Sequence, residues 1–133
     1  MNVNTDGSAS VTIPSSLGSA YYIVVKHRNA VETWTSAPIS FSGSTMSCNF
    51  SNSAGQAFGN NLKLISGKYV IFSGDVNQDG YIDSGDMTPV DNDASNSLSG
   101  YLSTDVNGDG IINMGDMTIL DSNANNYVGK IVP

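Results

Sequence analysis

Two runs of twelve residues place oxygen-bearing side chains where a hard cation could be wrapped. The first is Asp75-Val76-Asn77-Gln78-Asp79-Gly80-Tyr81-Ile82-Asp83-Ser84-Gly85-Asp86. The second is Asp105-Val106-Asn107-Gly108-Asp109-Gly110-Ile111-Ile112-Asn113-Met114-Gly115-Asp116. Counted from its first Asp, each run has side-chain oxygens at positions 1, 3, 5, 9 and 12 and Gly at position 6. That is the spacing of a twelve-residue calcium loop. Calcium takes about six to eight oxygens at about 2.3–2.6 Å, more than any single side chain supplies. A curling loop turns positions 1, 3 and 5 to one point, and Gly at position 6 permits the bend that follows. Position 7 (Tyr81, Ile111) offers only its carbonyl, so its side chain is free to be apolar. Position 9 (Asp83, Asn113) often acts through a water, and position 12 (Asp86, Asp116) closes the shell.

Details of the two runs predict unequal sites. Asp at position 12 is a shorter arm than the commoner Glu, which draws the exit segment toward the ion. The first loop has four carboxylates (Asp75, Asp79, Asp83, Asp86) and the second three (Asp105, Asp109, Asp116). The first is therefore expected to bind calcium more tightly. Position 8 is Ile in both copies, Ile82 and Ile112, and is expected to face the core and make a short strand contact. A lone Asp-x-Asn-x-Asp-Gly also fits an ordinary turn, but here two matches fall in register. Residues 75–96 and 105–126 agree at 13 of 22 positions, which carries the likeness beyond the loops to Met87/Met117 and Asp91/Asp121. Magnesium retains more water and takes fewer protein ligands, so calcium suits this donor set better, with two ions expected.

The elements flanking the loops differ from those of a paired EF-hand. Helical apolar spacing appears only on the exit side, at Met87 and Val90 and again at Met117 and Leu120. The entry to the first loop, Tyr69-Val70-Ile71-Phe72, is β-branched and aromatic and is expected to be a strand. A duplicated loop and exit helix without an entering helix resembles the dockerin module, an F-hand arrangement, over about residues 74–133. The resemblance implies two antiparallel helices with a calcium site at the start of each, held by the loop positions named above. It also implies docking onto a cohesin partner. There the sequence departs: positions 10 and 11 are Ser84-Gly85 and Met114-Gly115, and Asp91-Asn92 and Asp121-Ser122 stand where a basic pair helps grip cohesin. Pro89 falls early in the first exit helix, where the opening turn tolerates it.

Residues 1–73 predict a β-sandwich-like, immunoglobulin-like module. Short strands are expected at 8–13, 21–27, 31–35, 38–42, 46–50, 62–65 and 69–72, separated by Gly, Ser and Asn. The stretch from Tyr21 to Trp34 resembles a module that precedes dockerin-like repeats in large secreted proteins of Bacteroidetes and related bacteria. The expected division is therefore 1–73 and 74–133, joined without a flexible linker. About 73 residues is short for a sandwich of roughly 100, and the chain starts abruptly at Met1-Asn2-Val3 without a signal peptide. Two readings follow: a smaller complete sheet, or a sheet whose missing leading strand is supplied by another chain.

Charge is divided as sharply as the motifs. Residues 1–73 carry Asp6 and Glu32 against Lys26, Arg28, Lys63 and Lys68, a balance of +2, whereas residues 74–133 carry ten Asp against Lys130, a balance of −9. Without metal the second half should repel itself. So acidic a chain argues against nucleic-acid binding, and Lys26-His27-Arg28 is expected to be a solvated strand end. The longest apolar run, residues 21–25, is far too short to span a membrane. Hydrolase chemistry has almost nothing to use ahead of the loops, where Asp6 and Glu32 are the only acids before residue 75. Cys48 is expected to be a small buried apolar residue and Trp34 a core or sheet-face residue. The expected function is a non-enzymatic, calcium-stabilised extracellular structural or assembly module whose partner is another protein or its own copies, self-assembly into a filament or surface structure by strand donation being one form of it. The alternative is a dockerin that docks a secreted enzyme onto a cohesin-type scaffold.

Overall fold

The structure, a computed structural model, describes Asn4 and residues 9–133. Its two α-helices are α1 (Ser84–Ser95) and α2 (Met114–Ala124). Each starts from the ninth position of a loop. Asp83 caps α1 by accepting from the Gly85 amide, and Asn113 caps α2 through Gly115. The third helical residues, Asp86 and Asp116, accept in return from the cap amides, which completes a capping box at both starts. Asp86 and Asp116 also bring negative charge to the helix N-termini, where the backbone dipole favours it. Pro89 lies inside α1, beyond the opening turn where it was expected. The helix continues past it, although the ring has no N–H to offer the Gly85 carbonyl.

Three two-stranded antiparallel sheets make up the β structure. The strands β1 (Ala20–Tyr21) and β4 (Ile39–Ser40) form one pair, and β2 (Val24–His27) and β3 (Ala30–Trp34) form another. The third is the hairpin of β5 (Lys63–Ile65) and β6 (Lys68–Val70). This corrects the sandwich expectation: no sheet among the described residues exceeds two strands. The strand expected at 21–27 is interrupted at residues 22 and 23, and neither 9–13 nor 46–50 forms a strand. Ser8 and Met1-Asn2-Val3, with the expected leading edge, lie outside the described residues. The physical reason is visible in β3. Val31 packs with Val76, Ile82, Val90, Val106, Ile112, Leu120 and Val128 in one core. The apolar side of β3 is thus covered by the loops and helices rather than by a second sheet.

That core repeats the sequence repeat. Position 2 (Val76, Val106), position 8 (Ile82, Ile112) and one residue of each helix (Val90, Leu120) are all buried. The expectation for position 8 holds, and the strand contact is crosswise. Ile82 N–H donates to Val128 O at 2.9 Å and Lys130 N–H to Gly80 O at 2.7 Å, so the segment after α2 pairs with the first loop. Gly100 N–H donates to Gly110 O at 2.8 Å and Ile112 N–H to Leu98 O at 3.4 Å, so the segment after α1 pairs with the second.

The first loop is hung directly from β3. Val31 N–H donates to Phe72 O at 2.9 Å and Gly74 N–H to Asn29 O at 2.6 Å. Gly74 has a φ of 126°, and a Cβ there would press on Leu120 and Ile82 at 3.1–3.2 Å, so the entry to the loop requires glycine twice over. Next to it, Ser73 Oγ donates to Val106 O at 2.8 Å while Ser73 O accepts from Asn123 Nδ2 at 2.7 Å. Ser73→Ala removes the first of these bonds and should cost about 1 kcal/mol in urea unfolding. An unchanged midpoint would show that the bond adds nothing to stability.

Candidate metal loops

Both loops are tied by their own side chains in the same pattern. Asn77 Oδ1 accepts from Asp79 N–H at 2.9 Å, and Asp79 Oδ1 accepts from Tyr81 N–H at 2.9 Å. In the second loop the Asn107–Asp109 and Asp109–Ile111 bonds are both 2.8 Å. Asn77 and Asn107 also donate through Nδ2 to Asp79 and Asp109, each at 2.9 Å. Positions 3, 5 and 7 therefore form consecutive side-chain-capped turns. Tyr81 and Ile111 are largely exposed; their amides are already given to Asp79 and Asp109, which leaves their carbonyls as the oxygens they can offer an ion.

Position 12 is the closure. Asp86 has no exposed surface. Its Oδ1 accepts from Val76 N–H at 2.7 Å and Asn77 N–H at 3.1 Å, and its Oδ2 from Asp83 N–H at 3.0 Å. Asp116 repeats this with Val106, Asn107 and Asn113 at 2.8, 3.0 and 2.9 Å. One short carboxylate thus joins the start of the loop to the start of the helix. The shorter arm noted in the sequence brings the exit segment in, through backbone donors.

Position 1 is where the loops part. Asp105 Oδ1 accepts from Gly108 N–H at 2.9 Å and Oδ2 from Gly110 N–H at 3.2 Å. Asp75 Oδ2 accepts from Gly80 N–H at 3.1 Å. Asp75 Oδ1 has no partner, and it is the only buried side-chain nitrogen or oxygen so left among the described residues. Burial holds the Asp75 carboxyl above the usual carboxylate range. The Gly80 amide opposes this, and the charges of Asp86 and Asp79 add to it. Gln78, at φ 62°, uses its side-chain amide on Asp75 O at 2.7 Å. Gly108 at the same position uses its backbone amide on the Asp105 carboxylate.

A buried carboxylate oxygen without a donor, pressed by two further carboxylates, is a site that a cation would complete. The donor set of the first loop fits calcium on this observation. Asp75, Asn77, Asp79, Asp83 and Asp86 with the Tyr81 carbonyl would hold it, and Asp105, Asn107, Asp109, Asn113 and Asp116 with the Ile111 carbonyl would do so in the second loop. No three His, Cys, Asp or Glu side chains stand together as a ready-made cluster among the described residues. Each loop carboxylate instead accepts amides of its own loop.

Sequence reasoning missed the groups that anchor the second loop from outside. Arg28, expected to be solvated, is half-buried and donates from Nε to Leu102 O at 2.8 Å and from Nη2 to Asp105 O at 3.0 Å. Its guanidinium lies 3.7 Å from the Tyr101 ring centroid. Asn29 Nδ2 donates to Asp105 O at 2.7 Å. These contacts span more than seventy residues of chain, and no local signal announces them. Lys26 and His27 are exposed as expected. Trp34 packs edge-on against Tyr22 at 5.8 Å between ring centroids. Cys48 is half-buried rather than buried, and burial raises its thiol pKa, which makes it a poor nucleophile.

Residues 73–125 match the family model of the dockerin type I domain. No curated protein and no solved structure matches the chain. The matched span contains both loops and both helices, and it supports a dockerin-like calcium-binding module in this part of the chain. Dockerin domains are docking modules, not catalysts. No helix among the described residues is long and apolar enough to cross a membrane.

Proposed function

We propose that the chain is a non-catalytic docking module, loaded with two calcium ions, that attaches a secreted protein to a cohesin-type partner outside the cell. The family match over residues 73–125 carries this reading. The unpartnered Asp75 Oδ1 supports the calcium half of it. Calcium acts by replacing the mutual repulsion of the loop carboxylates with shared coordination, so its binding energy becomes folding energy. Millimolar calcium outside cells fills loops of modest affinity, which favours an extracellular setting.

The partner's face follows from what the loops present. Met114 at position 10 is 74% exposed, and the surrounding half of the chain carries the −9 balance. With no basic pair at Asp91-Asn92 or Asp121-Ser122, the fitting partner surface is apolar at its centre and basic at its rim. Assembly by strand donation rests on the short β-module of about 73 residues and on the start at Met1-Asn2-Val3, which lies outside the described residues; the family match over residues 73–125 favours docking.

The test is light scattering of the chain with a type I cohesin, in calcium and then in EDTA. A one-to-one complex that dissociates on chelation is the expected result. No complex, together with large calcium-dependent assemblies of the chain alone, would reverse the choice in favour of self-assembly.

A further inference from the structure

The two loops are not electrostatically equivalent, and part of the difference comes from outside them. The buried carboxylate of Asp75 in the first loop has an oxygen without any donor. Its counterpart Asp105 is satisfied by two loop amides and also faces the Arg28 guanidinium, with Nη2 to Oδ2 at 3.5 Å. Arg28 is held in place rather than wandering. Its Nε and Nη2 are committed to the Leu102 and Asp105 carbonyls, its Nη1 lies 3.3 Å from His27 Nε2, and its plane rests on Tyr101. Asn29 fixes the same Asp105 carbonyl from the neighbouring residue.

We propose that Arg28 is a built-in counter-cation of the second loop, which steadies that loop without metal and weakens its affinity for calcium. The proposal rests on the reading that both loops bind calcium. An ion drawn to the second loop by Asp105 would share that carboxylate with a fixed positive charge, whereas in the first loop Asp75 Oδ1 has no partner and Lys130, which runs over Gly80, makes no ion pair with Asp75. Repulsion between the guanidinium and a calcium ion held by the same carboxylate would outweigh the loop-ordering hydrogen bonds, part of which a neutral glutamine can keep. The affinity gap expected from four carboxylates against three is therefore widened. By reciprocity, calcium entering the second loop weakens the Arg28 anchor by the same factor.

Isothermal titration with calcium tests this on the full chain and on two substitutions. Arg28→Gln removes the charge, and Arg28→Lys keeps it while losing the planar fork. Arg28→Gln should tighten the weaker binding step roughly ten-fold, which is about 1.4 kcal/mol, and leave the tighter step unchanged. Arg28→Lys, which keeps the charge and loses the fork, should tighten the weaker step far less than Arg28→Gln does. Adding Asp105→Asn to Arg28→Gln should abolish the shifted step, which assigns it to the second loop. If Arg28→Gln leaves the weaker step unchanged or weakens it, or if Arg28→Lys tightens it equally, the counter-cation role is overturned while the calcium reading stands. Failure of the parent chain to take up calcium would overturn both. Melting in EDTA supplies a metal-free readout: Arg28→Gln should melt lower than the parent and lose that difference in high salt. A deficit that persists undiminished in high salt would assign Arg28 a packing role instead.

Discussion

Asp86→Ala melts well below the parent protein whether or not calcium is present. The carboxylate accepts three backbone N–H groups, from Val76, Asn77 and Asp83. Alanine leaves all three without an acceptor in a place where Val76 is buried, and it dismantles one capping box. Losing the acceptor of a buried donor costs about 1–3 kcal/mol, and losing a cap about 1 kcal/mol. A combined loss of about 3 kcal/mol or more is expected, which is roughly 10 °C for a domain of this size. Asp91→Ala, an exposed change on the same helix, is the control and should shift melting by less than about 0.5 kcal/mol. Calorimetry in EDTA is decisive here. If Asp86→Ala melts like the parent without metal, then position 12 serves only as a ligand and the strut described above contributes nothing.

Asp75→Asn should change sign between the two buffers. In EDTA the Asp75 carboxylate is buried with one oxygen unsatisfied, and burial raises its pKa. For an acid whose pKa is higher folded than unfolded, the favourable contribution is present below the unfolded value. It is lost as the pH climbs through the folded value. At neutral pH the metal-free fold therefore carries an ionised group that works against it. The neutral amide removes that charge, and its nitrogen can donate toward the neighbouring carboxylates. Asp75→Asn should melt higher than the parent in EDTA, by about 1 kcal/mol or roughly 4 °C. In calcium it should melt lower, because a site filled at a hundred times its dissociation constant contributes about 2.7 kcal/mol that the variant forgoes. Lowering the pH toward the acid range should erase the EDTA difference as the parent's carboxyl takes up its proton. Equal melting of the two proteins in calcium would remove Asp75 from the set of metal-binding residues.

The loops were legible because metal binding constrains residue type at fixed spacing within one short segment. The helices were legible for a related reason, since Asp83 and Asn113 serve the loop and the helix cap at once. The β structure was read strand by strand with fair success at β3 and β5, but the described residues form only two-stranded sheets and no sandwich. Alternation along a strand says that one face is buried and does not say against what. Val31 finds Ile82 and Leu120 rather than a second sheet. Short segments such as 46–50, β-prone on composition, lack any partner to pair with among the described residues. Arg28 was misjudged because Lys26-His27-Arg28 reads locally as a solvated end, and its real partners are more than seventy residues away.

The crosswise pairing of the loops with the post-helical segments bears on where this unit may be cut. Val128 and Lys130 supply the backbone partners of Ile82 and Gly80, yet they lie beyond residue 125, where the family match ends. A shortened chain stopping at that boundary would keep every acidic loop residue and still strip the first loop of its clasp. Conversely, each half of the repeat holds a piece of the other's scaffold, so neither half is an independent part. The duplication is, in engineering terms, two interlocked hooks, and the smallest piece worth transplanting extends through Lys130.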